Sequence, residues 1–226
     1  MYVEFAGIPG AGKTTLVAEV QKLLEREGMR CATRATFFPQ NRKWVYKSLW
    51  SLFHPQYLDF SITRLLLRLS RKNGSTFQKL VIQLHEHQKL QYQIAHQRNV
   101  VVLWDAGHIQ RLSNLAKERI LSETTVVNSI WQKLPRETLL VLLDTPVADS
   151  VRRMRVREAQ LRGETVWKLS DPEERERTEA YAESRRVQKE LVDALGKQGF
   201  VSITLDGTKP PAENAAIVRE SIKKQR

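Results

Sequence analysis

"VEFAGIPGAGKTTLVAEV", residues Val3 to Val20, passes from an apolar run through a glycine-rich turn into an amphipathic pattern. Gly7, Gly12, Lys13 and Thr14 fill the fixed places of G-x-x-x-x-G-K-[ST], and a strand before and a helix after are the context that motif requires. Glycines at 7, 10 and 12 let the backbone curl until successive N–H groups face one concavity, where the helix N-terminus adds partial positive charge. A polyphosphate fits such a cradle. The binding set read from it is Gly7, Pro9, Gly10, Ala11, Gly12, Lys13, Thr14 and Thr15. Within that set Lys13 reaches the β- and γ-phosphates, and the Thr14 hydroxyl ligates the magnesium that bridges them. A dinucleotide site fails on spacing, because the glycines do not form G-x-G-x-x-G. The plain alternative is a glycine-rich turn opening an ordinary βαβ unit.

The rest of the composition fits one enzyme-sized domain spanning 1–226. The chain has 226 residues, 41% of them hydrophobic, and no low-complexity tract, linker or internal repeat divides it. A first strand starting at Tyr2 leaves no room for a signal peptide, and no apolar run is long enough to suggest a membrane span. The single cysteine, Cys31, forbids an internal disulfide and a cysteine metal cluster, so a cytoplasmic location is expected. A net charge of +12 suits anionic ligands, but equally nucleic acid or an anionic membrane surface.

Strand-like runs are "YVEFAG", "RCATRATF", "NVVVLWDA", "ETLLVLLDT" and "FVSITLDG". Helical patterns cover Thr14 to Glu27, Phe77 to Gln97, Ser113 to Trp131, Val147 to Leu161, Pro172 to Leu195 and Ala212 to Lys223. Apolar strands alternating with helices predict an α/β fold, a parallel sheet of about five strands with helices on both faces. Ligands in such sheets sit at the C-terminal strand ends. There the glycine-rich turn and the strand-end aspartates Asp105 and Asp144 are expected to converge.

The kind of P-loop protein follows from what accompanies the loop. A glutamate directly after the strand-end aspartate, expected of a hydrolysing motor, is missing: Asp105 precedes Ala106, and Asp144 precedes Thr145. GTPase elements D-x-x-G and N-K-x-D do not occur in order. Phosphoryl transfer to an acceptor is what remains.

Four segments, "FAGIPGAGKTTL", "LLDTPVADSVRRMRVR", "ERERTEAYAESRRVQKEL" and "VSITLDGTKPPAENAAIV", resemble thymidylate kinase and its nucleoside monophosphate kinase-like relatives in that order, over nearly the whole chain. The resemblance implies a P-loop NTPase fold with a helical lid, about 147–170, and a helical acceptor-side insert, about 41–98. It implies transfer of the γ-phosphate of ATP, with magnesium, to a nucleotide or similar small acceptor. Asp105 matches the family's strand-end acid, a contact for magnesium or for the acceptor's proton. The alternative is that Asp105 caps the helix beginning near His108.

Two departures stand out. "LWDAGHIQR" lacks the arginine that usually follows the acid, which leaves Gly107 and Arg111 as acceptor-side candidates. "TFFPQNRKW" keeps only Pro39 of the family's Arg-Glu-Pro element, which argues against thymidylate itself as the acceptor.

The lid segment keeps Arg153, Arg155 and Arg157, and Arg153 and Arg157 share a helix face. They are expected to clamp the charge of the transferring group; a solvated face paired with Glu158 and Glu164 is the alternative. Gly207, Thr208 and Lys209 match the loop on which the family lays the adenine ring, or form a plain turn.

Residues 41–72 fit the family poorly. Arg42, Lys43, Lys47, Arg64, Arg68, Arg71 and Lys72 face one acid, Asp59, and aromatics lie between them. The segment can bind an anionic or glycosylated acceptor, through Arg42 and Lys43 first, rest on a membrane surface, or cover the core. "HEH" at His85 to His87 is no metal site, because its histidines leave the helix on different sides.

The resulting expectation is an ATP- and magnesium-dependent phosphotransferase acting on a nucleotide-like, nucleoside or sugar-type acceptor. Lys13, Asp105, Arg153 and Arg157 are its catalytic residues, and Thr14 and Asp105 its metal contacts. The alternatives are a nucleotide-binding regulatory protein without transfer and, on charge alone, a nucleic-acid-dependent ATPase. A homodimer is allowed.

Overall fold

The computed structural model describes residues 1–33, 36, 99–105, 107, 109–110, 134–135, 137–163 and 170–226. Five strands, β1 (Tyr2–Ala6), β2 (Arg30–Thr33), β3 (Val100–Asp105), β4 (Thr138–Asp144) and β5 (Val201–Asp206), form one parallel sheet in the order β2-β3-β1-β4-β5. Helices α1 (Lys13–Arg26), α2 (Val147–Arg162), α3 (Asp171–Lys197) and α4 (Pro211–Gln225) accompany it. The expected fold class is the one observed.

Alternation along the strands divides the core. Val3 and Phe5 of β1, Val101 and Leu103 of β3, and Leu139, Val141 and Leu143 of β4 point to one face. There they pack on Leu16, Val20 and Leu24 of α1 and Ala215, Val218 and Ile222 of α4. The opposite face carries Tyr2, Glu4, Trp104, Leu140 and Leu142, and α3 packs over its β4–β5 half through Val187, Leu191 and Leu195. β1, β3 and β4 are buried on both faces and therefore read as largely apolar runs, interrupted within β1 by Glu4. The sheet's middle is thus its most strongly specified part.

β1 lies between β3 and β4, with Phe5 in register with Asp105 and Ala6 with Leu142. The loops leaving these three strands therefore share one edge of the sheet, and the site is built there.

The helices match the expected ones within about two residues at each end. α3 starts earlier than its apolar pattern because Ser170 and Glu173 make a capping box: Glu173 accepts from the Ser170 N–H at 3.0 Å and from its hydroxyl at 2.7 Å. β2 is shorter than the run "RCATRATF". It ends at Thr33, whose N–H donates to the Thr36 hydroxyl at 3.3 Å, and Thr36 is already helical. The helices expected at 77–97 and 113–131 and the insert at 41–98 lie outside the described residues, as does 164–169 of the lid segment. No described helix is long and apolar enough to cross a membrane.

Candidate active site

The glycine-rich turn has the geometry of an anion cradle. Gly10 and Gly12 take φ of 82° and 101°, left-handed values that an L side chain avoids, and Gly12 leads directly into α1. Lys13 opens the helix with its side chain folded back into the turn, 9% exposed. Its ammonium donates to the carbonyls of Gly7 at 2.6 Å and Ile8 at 3.0 Å. An ammonium has three donors, so one remains for a phosphate oxygen. Burial pulls the Lys13 pKa down to about 8, and the negative charge of Asp105 opposes that shift.

The Thr14 hydroxyl donates to Asp105 Oδ2 at 2.9 Å, joining the mouth of the cradle to the end of β3. Magnesium ligands in adjacent octahedral positions, each about 2.0–2.1 Å from the ion, stand about 2.9 Å apart, so this oxygen pair fits one ion. No cluster of three or more His, Cys, Asp or Glu residues occurs among the described residues. One carboxylate and one hydroxyl, completed by water and phosphate oxygens, is how magnesium is commonly held.

Among the described residues beyond β3, the Ile109 N–H donates to Glu4 Oε1 at 2.6 Å, and the Tyr2 hydroxyl donates to Glu4 Oε2 at 2.9 Å. Glu4 is fully buried and passes within reach of Gly107, where a Cβ would stand 2.5 Å from the Glu4 side chain. The smallness of Gly107 thus lets the loop after β3 close onto β1. Gly107 serves that fit in the described structure, whatever it also does toward an acceptor. A glutamate inside the strand run "YVEFAG" was the sequence signal for this anchor.

Beside the cradle lies a cavity of about 390 Å³. Gly12, Thr15 and Leu143 form its floor, Arg153 one wall, and Gly207 to Pro211 with Asn214 the other. The second wall is preformed: Asp206 Oδ1 accepts from the Thr208 N–H at 2.8 Å and its hydroxyl at 2.6 Å, and these bonds hold the Asp206 carboxyl below the usual range. Gly207 cannot be replaced freely, because a Cβ there would overlap the Thr145 hydroxyl.

α2 is docked on the cradle. A Cβ at Gly10 would come 2.5 Å from the Ser150 carbonyl, and Arg153 donates to the carbonyls of Ala11 at 3.2 Å and Gly207 at 3.1 Å. Arg153 therefore ties the P-loop to the loop after β5. Arg155 pairs with Glu174 of α3, and Glu158 with Arg177 of α3 at 2.8 Å. Arg157, one turn beyond Arg153, is exposed. The three arginines have separate surroundings: Arg155 is paired with Glu174, while Glu158, expected as a partner on this face, pairs instead with Arg177, and Glu164 lies outside the described residues.

Of the two strand-end aspartates, only Asp105 meets the cradle. Asp144 accepts from Arg185 of α3 at 2.5 Å, so its carboxylate is committed to fastening α3 over β4. Its expected convergence with Asp105 is corrected accordingly. Residues of this arrangement to which the sequence assigned no role include Thr145, Arg185 and Asn214, although each lies inside a segment that carries the resemblance. Arg42, Lys43 and Arg111, the remaining acceptor candidates, and the segment 41–72 with its membrane-surface alternative lie outside the described residues.

No family model matches the chain, and no curated protein matches it in sequence. Its fold is found among solved structures. Deoxyadenosine kinase from M. mycoides with products dCMP and a flexible dCDP has a TM-score of 0.55 at 13% identity, with all of both chains covered. The same enzyme with bound dATP gives 0.52 at 14%, covering 99% of this chain and 100% of that one. What is shared is the α/β P-loop NTPase fold.

Proposed function

We propose that the chain is a magnesium- and ATP-dependent phosphotransferase that moves the γ-phosphate of ATP to a hydroxyl or phosphate oxygen of a small acceptor. The observation that carries this reading is the Thr14–Asp105 contact at 2.9 Å beside the buried Lys13 ammonium. It brings a cation-binding oxygen pair and a fixed positive charge to the mouth of one anion cradle. The cradle N–H groups and Lys13 hold the β- and γ-phosphates, and Thr14 and Asp105 hold the metal. Magnesium held there would supply charge neutralisation.

In the transfer the γ-phosphorus leaves the β-bridging oxygen, which departs with ADP, and bonds to the acceptor oxygen; a hydroxyl acceptor passes its proton to solvent, and an ionised phosphate oxygen has none to lose. Lys13 and an arginine of α2 offset charge on the transferring group. The cavity between Arg153 and the loop 207–209 receives the nucleoside end of ATP.

A nucleoside-like acceptor is favoured by the full-length likeness to deoxyadenosine kinase, while the thymidylate kinase resemblance rests on sequence segments alone. Incubation with magnesium-ATP and a panel of nucleosides, nucleoside monophosphates and sugars, read by mass spectrometry, tests this. A gain of one phosphate on a nucleoside supports the reading. Tight ATP binding with no transfer to any acceptor would favour a regulatory nucleotide-binding protein.

A further inference from the structure

Glu4 places a fully buried carboxylate inside the central strand of the sheet. Its register neighbours are Trp104 on β3 and Leu140 on β4, both buried. Packing alone would be met there by an apolar side chain, because a buried carboxylate is costly unless hydrogen bonds replace its water. What Glu4 can do and an apolar residue cannot is accept an N–H.

The N–H it accepts belongs to Ile109, and the Tyr2 hydroxyl holds the other carboxylate oxygen from the β1 side. This contact falls just past the end of the β1–β3 ladder, whose last pair is Phe5 opposite Asp105. Asp105 is thus tied to β1 on both sides: by the ladder before it, and by Glu4 through Ile109 after it. Glu4 and Phe5 are neighbours in a strand and point to opposite faces, so Glu4 acts from behind the sheet while the Asp105 carboxylate meets Thr14 in front.

We propose that Glu4 is a positioning residue for the metal contact: by holding Gly107 and Ile109 against β1, it keeps the Asp105 carboxylate beside the Thr14 hydroxyl. The inference rests on the magnesium and nucleotide reading above and gives a part in it to a residue outside the cradle. Loss of the Glu4 bond releases the chain after Asp105, and the Thr14–Asp105 pair opens. The cradle itself stays in place, since its turn is closed by its own bonds, Ala11 N–H to the Ile8 carbonyl at 3.1 Å and Lys13 to the Gly7 and Ile8 carbonyls.

The test is calorimetric titration of the full chain with ATP, in magnesium and in EDTA, the ratio of the two affinities reading the metal's contribution. Glu4→Met should lower that ratio about fivefold or more, on the low side of what loss of a supporting contact costs a metal site, and leave affinity in EDTA within about twofold. Glu4→Gln should keep the ratio within about twofold, since its amide oxygen still accepts from Ile109 and the Tyr2 hydroxyl can turn to accept from its amide nitrogen. In an Asp105→Asn background Glu4→Met should lower the ratio no further, because the two residues act through one contact. Should Glu4→Met fail to fold, Gly107→Ala, whose methyl pushes the loop off the Glu4 side chain, should give the same loss. Folded Glu4→Met or Gly107→Ala with the wild-type ratio overturns the assignment, and so does an undiminished effect of Glu4→Met in the Asp105→Asn background; the nucleotide site stands in either case. A wild-type affinity unaltered by magnesium overturns the metal reading and the assignment together, and absence of ATP binding overturns the nucleotide reading with them.

Discussion

Thr14 and Asp105, 91 positions apart, meet at 2.9 Å where the P-loop helix begins and β3 ends. The register of β1 with β3 produces this contact, since Phe5 sits opposite Asp105 and the chain needs only the turn 7–12 to bring Thr14 back to it. Asp105→Asn keeps the shape and removes the charge. Turnover on an identified acceptor should fall about 10²-fold or more, with ATP affinity changed far less. Steady-state kinetics with calorimetry read both quantities, and an unchanged kcat removes Asp105 from the chemistry.

A lysine pKa near 8 has two opposite consequences. Between about 8 and the usual 10.5 the unfolded chain holds a proton that folded Lys13 has released, so stability of the ligand-free protein should rise with pH across that window. ATP binding needs the charged ammonium, so its Kd should weaken by up to about tenfold per unit above pH 8. Denaturant unfolding and calorimetry at pH 7 to 10, on wild type and Lys13→Met, check both. The variant should lose both slopes.

Much of this arrangement was legible in the sequence, and the unread part has a physical cause. The P-loop is read because its constraints are local: six residues must curl, so glycines are required at fixed spacing. β1, β3 and β4 are read because burial on both faces leaves largely apolar runs, interrupted only by Glu4 within β1. Asp144 resisted reading because its position at a strand end matches that of Asp105, and what distinguishes them is Arg185, far along the chain on α3.

Gly207 and Thr145 should behave as a coupled pair. Gly207→Ala forces a methyl into the Thr145 hydroxyl and should destabilise the protein by about 1–3 kcal/mol, the range for overpacking. Thr145→Ala alone loses the hydroxyl's bond to the Ala11 carbonyl. The double variant should be more stable than the sum of the single effects predicts, measured as an interaction energy in urea unfolding. Simple additivity contradicts the contact.

Arg153 and Arg157 should separate kinetically. Arg153→Ala removes two bonds linking the P-loop to the loop after β5, and nucleotide affinity should fall about tenfold. Arg157→Ala should leave affinity within about twofold and lower kcat, because this exposed arginine has no such structural bonds among the described residues. If neither variant changes binding or turnover, the basic face of α2 is solvated surface.

The central claim is transfer of the γ-phosphate to a small acceptor, and following that phosphorus tests it most directly. The protein is incubated with magnesium-ATP labelled at the γ-phosphate and a small-molecule fraction of cell extract, and the label is traced by chromatography with mass detection. Label should appear in one organic acceptor, matched by an equal amount of ADP and absent with Lys13→Ala. Label confined to ATP and inorganic phosphate, with the wild-type protein folded and binding ATP, would contradict it.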